Sequence, residues 1–170
     1  MYIKSRIFIP LILIIFLLSG CSSVRDKLKI VAPKKETSDF YVSWSKNLDP
    51  EYESGNLPIG LQSPNVHEGL VFVGDNKGLM KALDLKSGRS LWEKRDRGAY
   101  HSYPRVCEGA LIYGTTEGFV YSRNYLTGDL NYVVAVGKSV ETPPVYYKGR
   151  VFFQLRDHRI VCLDAKTGGI

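Results

Sequence analysis

Residues 82–92 read Ala82-Leu83-Asp84-Leu85-Lys86-Ser87-Gly88-Arg89-Ser90-Leu91-Trp92. Two strand-like segments flank a tight turn. The Asp84 carboxylate can accept hydrogen bonds from turn amides, and Gly88 can take a positive φ at no steric cost. Trp92 follows on the outgoing strand. Its flat indole needs an apolar surface beneath it and an acceptor for its N–H. Small Ala82 leaves room for such an approach. The pattern then returns at a fixed interval.

Pro64, Pro104 and Pro144 stand 40 residues apart, as do Gly69, Gly109 and Gly149. Gly74 and Gly78 return as Gly114 and Gly118, and Gly88 returns as Gly128 and Gly168. Asp84 becomes Asn124 and then Asp164, and Trp92 becomes Tyr132. No insertion interrupts the register, so one structural unit is being repeated. Each unit reads as four short strands. The first follows the proline (64–67, 104–107, 144–147) and turns at Glu68-Gly69, Glu108-Gly109 or Lys148-Gly149. The second is apolar throughout, as in Leu70-Val71-Phe72-Val73 and Ala110-Leu111-Ile112-Tyr113. The third spans 79–83, 119–123 and 159–163, and the opening hairpin leads into the fourth.

An uninterrupted apolar strand is buried on both faces. A β-sandwich would alternate apolar and polar residues on its outward faces. Four-stranded units of about 40 residues with doubly buried sheets fit propeller blades. The expected fold is therefore all-β: an incomplete β-propeller of about two complete four-stranded blades plus most of a third. The aromatic that ends each unit is expected to pack between one blade and the next.

Ala82-x-Asp84-x-x-x-Gly88-x-x-x-Trp92 resembles the tryptophan-docking motif of the pyrroloquinoline-quinone (PQQ) propeller repeat family. Later units match through Ser122, Asn124, Gly128 and Tyr132, and through Cys162, Asp164 and Gly168. Val42-Ser43-Trp44-Ser45 resembles the start of one branch of it, the propeller lipoproteins of the outer-membrane β-barrel assembly machinery. That likeness implies an N-terminal strand that closes the ring by joining the last blade. It covers roughly residues 40–170.

The N-terminus reads separately. Lys4 and Arg6 precede an uncharged apolar run from Ile7 to Leu18. A membrane span needs about 20 residues, so this run suits a secretory signal. It ends in Leu18-Ser19-Gly20-Cys21, which resembles a bacterial lipobox and implies cleavage before Cys21 and lipidation there (palmitate among the acyl chains). Ser22, in place of Asp, implies sorting to the outer membrane. Residues 1–20 are thus expected to be a signal peptide, 21–39 the lipidated cysteine and a flexible tether, and 40–170 the propeller domain. Loss of Lys4 and Arg6 takes the formal charge from +6 to +4. Much of the remainder lies in the tether, where it can meet anionic head groups. No clustered basic surface marks a nucleic-acid partner.

Nothing in the repeat reads as a catalytic constellation. His67, His101 and His158 fall at different positions in the unit and lack metal-ligand spacing. His158 replaces the glycine of the second turn. Cys107 and Cys162 lie on the first strand of one unit and the third of the next, a poor geometry for a disulfide, and read as small buried apolar residues. Asp84 and Asp164 occupy equivalent turns on separate blades, whereas catalytic carboxylates must share a site. Ser87 and Thr167 read as turn residues. Glu141 and His101 precede innermost strands and point toward a central channel.

The resemblance implies a non-catalytic, lipid-anchored periplasmic scaffold at the outer membrane, with components of the β-barrel assembly machinery as partners and no cofactor. The alternatives are a fragment of a PQQ-dependent dehydrogenase, or a ligand-binding propeller. The dehydrogenases need a complete ring and, in many members, adjacent cysteines, which this sequence lacks. The sequence ends at Gly168-Gly169-Ile170, before the aromatic that the period places at 172. The expectation is a truncated form of a longer propeller, with assembly of several copies or a second chain as the other sources of the missing blades.

Overall fold

The computed structural model describes residues 41–48 and 63–170. Within the unit Val42–Ile170, three antiparallel sheets follow one another along the chain. Blade 1 contains β1 (Asn65–His67), β2 (Leu70–Gly74), β3 (Leu79–Asp84) and β4 (Ser90–Arg95). Blade 2 contains β5 (Arg105–Cys107), β6 (Ala110–Gly114), β7 (Phe119–Asn124) and β8 (Leu130–Ala135). Blade 3 contains β9 (Val145–Tyr147), β10 (Arg150–Gln154) and β11 (Ile160–Asp164). Each sheet is a meander whose neighbours in space are neighbours in sequence. The strands expected of the repeat units are all present, displaced by a residue or so at their ends.

The local chemistry accounts for this. The β1–β2 turn places both Glu68 (φ 45°) and Gly69 (φ 79°) in the left-handed region. This suits the twist of a two-residue hairpin. Glu108-Gly109 and Lys148-Gly149 do the same. Ala82 stands opposite Trp92 across β3–β4, and Ser122 opposite Tyr132 across β7–β8. A register shift follows immediately in both, between Ala82 and Leu83 and between Ser122 and Arg123. The irregularity is thus part of the repeat, and bulges of this kind re-aim side chains.

Alternating residues on β2 and β3 serve opposite faces. Phe72, Met80 and Ala82 pack toward Leu111, Tyr113 and Tyr121 of blade 2. Ile112 and Val120 of blade 2 pack toward Val151, Phe153 and Leu163 of blade 3. The other face of blade 1, with Val71, Val73 and Leu83, receives Trp44 and Leu48. β2 and β6 are buried at every position, as an uninterrupted apolar strand requires. β10 differs: Val151 and Phe153 are buried, but Arg150 and Gln154 are exposed. Its polar positions all lie on the face turned away from blade 2.

No strand pairing involves residues 41–48. The N-terminal strand implied by resemblance is therefore not formed among the described residues, and Trp44 is used differently. The signal peptide, Cys21 and the tether lie outside the described residues.

Candidate functional site

The functional unit of this repeat is the joint between blades. Trp92 leaves blade 1 and lays its indole on the β7–β8 turn of blade 2. A Cβ added to Gly128 would stand 2.8 Å from its Cδ2. The indole Nε1 donates to the Tyr125 carbonyl at 3.1 Å. Tyr132 repeats the contact one blade later: a Cβ on Gly168 would stand 2.7 Å from its Cδ2, and its hydroxyl donates to the Ala165 carbonyl at 3.1 Å. Trp44 makes the same contact with blade 1. Its Cε3 would be 2.6 Å from a Cβ on Gly88, and its Nε1 donates to the Leu85 carbonyl at 2.8 Å. Hence Gly88, Gly128 and Gly168 satisfy two demands at once, a left-handed φ (68°, 75° and 74°) and a bare surface for a ring.

The turn below each ring is held by its first residue. Asp84 Oδ1 accepts from the Ser87 amide at 2.7 Å and the Ser87 hydroxyl at 2.6 Å. Asn124 Oδ1 accepts from the amides of Leu126 (2.9 Å) and Thr127 (3.2 Å). Asp164 Oδ1 accepts from the amides of Lys166 (3.0 Å) and Thr167 (2.9 Å) and from the Thr167 hydroxyl (2.9 Å). The Ser87 hydroxyl holds the Asp84 carboxyl below its ordinary pKa, and the Thr167 amide does so for Asp164. These carboxylates are occupied by their own turns on separate blades. Ala82 is fully buried opposite Trp92, where its small side chain admits the indole.

A second close approach lies deeper. A Cβ on Gly74 would stand 2.5 Å from the Tyr100 ring, and one on Gly114 would stand 2.2 Å from Val140. Tyr100 donates to Asp96 Oδ2 at 2.8 Å and to the Gly78 carbonyl at 3.2 Å. Tyr113 also donates to Asp96 Oδ2 at 2.8 Å. Arg123 forms a short ion pair with Asp96 through Nη2, and its Nε donates to the Tyr113 oxygen at 2.8 Å. Arg123 Nη1 donates to the Gly128 carbonyl at 2.9 Å, linking this network to the docking turn. The side chains of Asp96 and Arg123 are 2% and 9% exposed. Burial works against the Arg123 charge, but the bonds to Asp96 and Tyr113 outweigh it and hold the guanidinium protonated. Burial foremost raises the Tyr100 and Tyr113 phenols far above their ordinary range.

The remaining candidates have local roles. His67 stands edge-on to Tyr125 at 5.4 Å. His158 occupies the turn position of Gly78 and Gly118 with φ 67°. Glu141 accepts from Ser139 at 2.9 Å and from Arg156 at 3.4 Å. Cys107 and Cys162 are both free. Cys107 is buried as expected, and burial pushes its thiol up to about 11. Cys162 is only half-buried, because it lies on the face of blade 3 turned away from blade 2. Among the described residues no three His, Cys, Asp or Glu side chains are placed to hold a metal ion.

The motif residues therefore form joints rather than one cleft. The family model described as outer membrane protein assembly factor BamB matches residues 36–131. The chain belongs to the BamB family. A BamB from Moranella endobia is 28% identical over 175 residues, covering 94% of this chain and 45% of that protein. The chain thus spans less than half of that BamB. A quinoprotein ethanol dehydrogenase from Pseudomonas putida is 24% identical over 127 residues, covering 69% of this chain and 19% of the enzyme. Among solved structures, BamB from Moraxella catarrhalis superposes with a TM-score of 0.58 at 19% identity, covering 64% of this chain and 34% of its own. That last likeness shows the propeller fold.

Sequence reasoning missed Trp44 as a docking ring and missed the whole Asp96–Arg123 network. Trp44 precedes Trp92 by 48 residues rather than 40. The network had one signal: an arginine at 123 where the other units have Leu83 and Leu163.

Proposed function

We propose that this chain is a non-catalytic propeller scaffold that serves outer-membrane β-barrel protein assembly. The observation that carries the reading is the BamB family match over residues 36–131. The joint chemistry supports it. The polar groups of the motif are spent on turns and blade contacts, leaving a rigid body whose loops and strand edges are suited to protein partners. The partner is the machinery's central barrel protein, engaged through its periplasmic domains. Residues 1–20 act as a signal peptide, Cys21 carries the lipid, and residues 21–39 tether the domain at 40–170 to the periplasmic face of the outer membrane.

The test is co-isolation of the tagged full chain from solubilised outer membrane. Recovery of the barrel protein is expected, and its absence overturns the scaffold reading. Cys21→Ala should abolish acyl labelling and release the protein from the membrane fraction. The dehydrogenase likeness gives a second reading, the fragment of a PQQ enzyme. Dye-linked alcohol oxidation on addition of PQQ would favour that reading and defeat the first.

A further inference from the structure

Two joints in this structure are built to one plan and filled with different chemistry. At the blade 1–blade 2 joint the slot holds Asp96, Tyr100, Tyr113 and Arg123. Forty residues on, the same positions are Val136, Val140, Phe153 and Leu163. All four are buried in the apolar cluster of the blade 2–blade 3 joint. Forty residues earlier, the counterparts of Tyr113 and Arg123 are Val73 and Leu83, buried against Trp44 and Leu48. A hydrogen-bonded ion pair therefore occupies one joint, while the next joint is apolar at all four matching positions and the Trp44 face of blade 1 is apolar at the two that are described.

We propose that the Asp96–Arg123 pair, with Tyr100 and Tyr113, is an address that dictates which blade stacks on which. The docking rings cannot supply that information. Trp44, Trp92 and Tyr132 meet equivalent glycines in equivalent turns, so each ring would fit more than one turn. The charged slot discriminates. Blade 3 placed on blade 1 would bury the Asp96 carboxylate against Leu163 and Phe153, with the Tyr100 hydroxyl beside it but no cation. Blade 2 placed on the trailing face of a second blade 2 would bury Arg123 against Val136, with acceptors on its own blade but no carboxylate to balance its charge. Leaving one buried charge without its partner is costly, whereas replacing both partners by apolar groups is often neutral or stabilising. Such a pair thus contributes little to stability and much to the choice of partner. Misassembly and exchange of units between copies are characteristic failures of repeat proteins.

The experiment compares the full chain with D96V/Y100V/Y113F/R123L, which makes the first joint match the second. Both are unfolded, refolded at equal concentration, and analysed by thermal melting and by size-exclusion chromatography with light scattering. The expected result is a melting temperature equal to or above that of the unmodified chain, with a fraction of exchanged dimers and larger species raised about fivefold. An unchanged oligomer distribution with retained stability overturns the proposal. Should the quadruple variant not fold, D96R and D96R/R123D decide the question. D96R alone should raise the exchanged fraction, and the reversed pair should return it to the unmodified level. Failure of the reversed pair to do so, in a chain that folds, overturns the address.

Discussion

Gly109→Ala and Gly128→Ala form a matched pair that isolates the docking contact. Both glycines have φ +75°. At 109 an added Cβ meets nothing within 4 Å. Only the left-handed backbone is penalised there, by about 1–2 kcal/mol. At 128 the same Cβ stands 2.8 Å from Trp92 Cδ2 and 2.9 Å from Cε3. The indole cannot move away freely, because its Nε1 is bonded to the Tyr125 carbonyl and its ring is buried. Yielding would weaken a hydrogen bond worth about 1 kcal/mol and repack a filled joint at about 1–3 kcal/mol. Gly128→Ala should therefore exceed Gly109→Ala by about 2–4 kcal/mol. For a domain of this size, that separates the two melting temperatures by about 6–15 °C. Differential scanning calorimetry of the two variants measures it. Combining Gly128→Ala with Trp92→Ala should erase the excess, since the clash then has no partner. Equal melting temperatures for Gly109→Ala and Gly128→Ala, within about 2 °C, would refute ring-on-glycine docking as the source of joint stability.

Other outcomes follow from the same contacts. Trp92→Ala should destabilise by about 3–5 kcal/mol in urea titration. Tyr132→Phe keeps its ring on Gly168 and loses the hydroxyl's bonds to the Ala165 carbonyl and Ser122, so about 1–2 kcal/mol is expected in the same titration. His158 holds φ 67° without being glycine; His158→Gly should raise stability by about 1 kcal/mol by removing that strain. The Asp84 carboxyl is lowered in the fold from its ordinary value of 3.8. The unfolded chain therefore binds the proton more readily, and the contribution of Asp84 is complete above that value and lost as pH falls through the lowered one. Asp84→Asn keeps the acceptor, as Asn124 does in blade 2, and should flatten the acid limb of a stability–pH curve below about pH 4.

The fold was legible because the repeat is regular where it matters to the backbone. Glycines at hairpins, prolines before the first strand and apolar second strands each impose a local geometry, and their 40-residue spacing identifies one unit made again. The docking motif was legible for the same reason: Asp84, Gly88 and Trp92 each have one physical task at a fixed offset. Trp44 escaped because it precedes Trp92 by 48 residues rather than 40, so its task could be recognised only from the ring's position on Gly88. Asp96 and Arg123 escaped for the opposite reason. A reading organised by periodicity treats departures from the period as variation, and these two residues act by departing. They are 27 residues apart, Asp96 just past the end of β4 and Arg123 on β7, so no local pattern joins them. An isolated arginine at a position otherwise held by leucine was the available clue, and its meaning depended on finding a carboxylate on the facing blade. The exposed residues of β10 escaped likewise, because the apolar run of blades 1 and 2 is interrupted in blade 3 only on one face.

The docking rings also give the molecule a spectroscopic consequence. The sequence contains two tryptophans, and each sits on a different turn glycine: Trp44 on Gly88 and Trp92 on Gly128. The third ring in the series is Tyr132, whose weaker emission is spectrally separable from that of indole. Each indole therefore reports wetting of its own turn as a red shift, and replacing either one with phenylalanine leaves a single-site emitter. Blade stacking in this protein can be followed turn by turn with its native fluorophores, without attaching a dye.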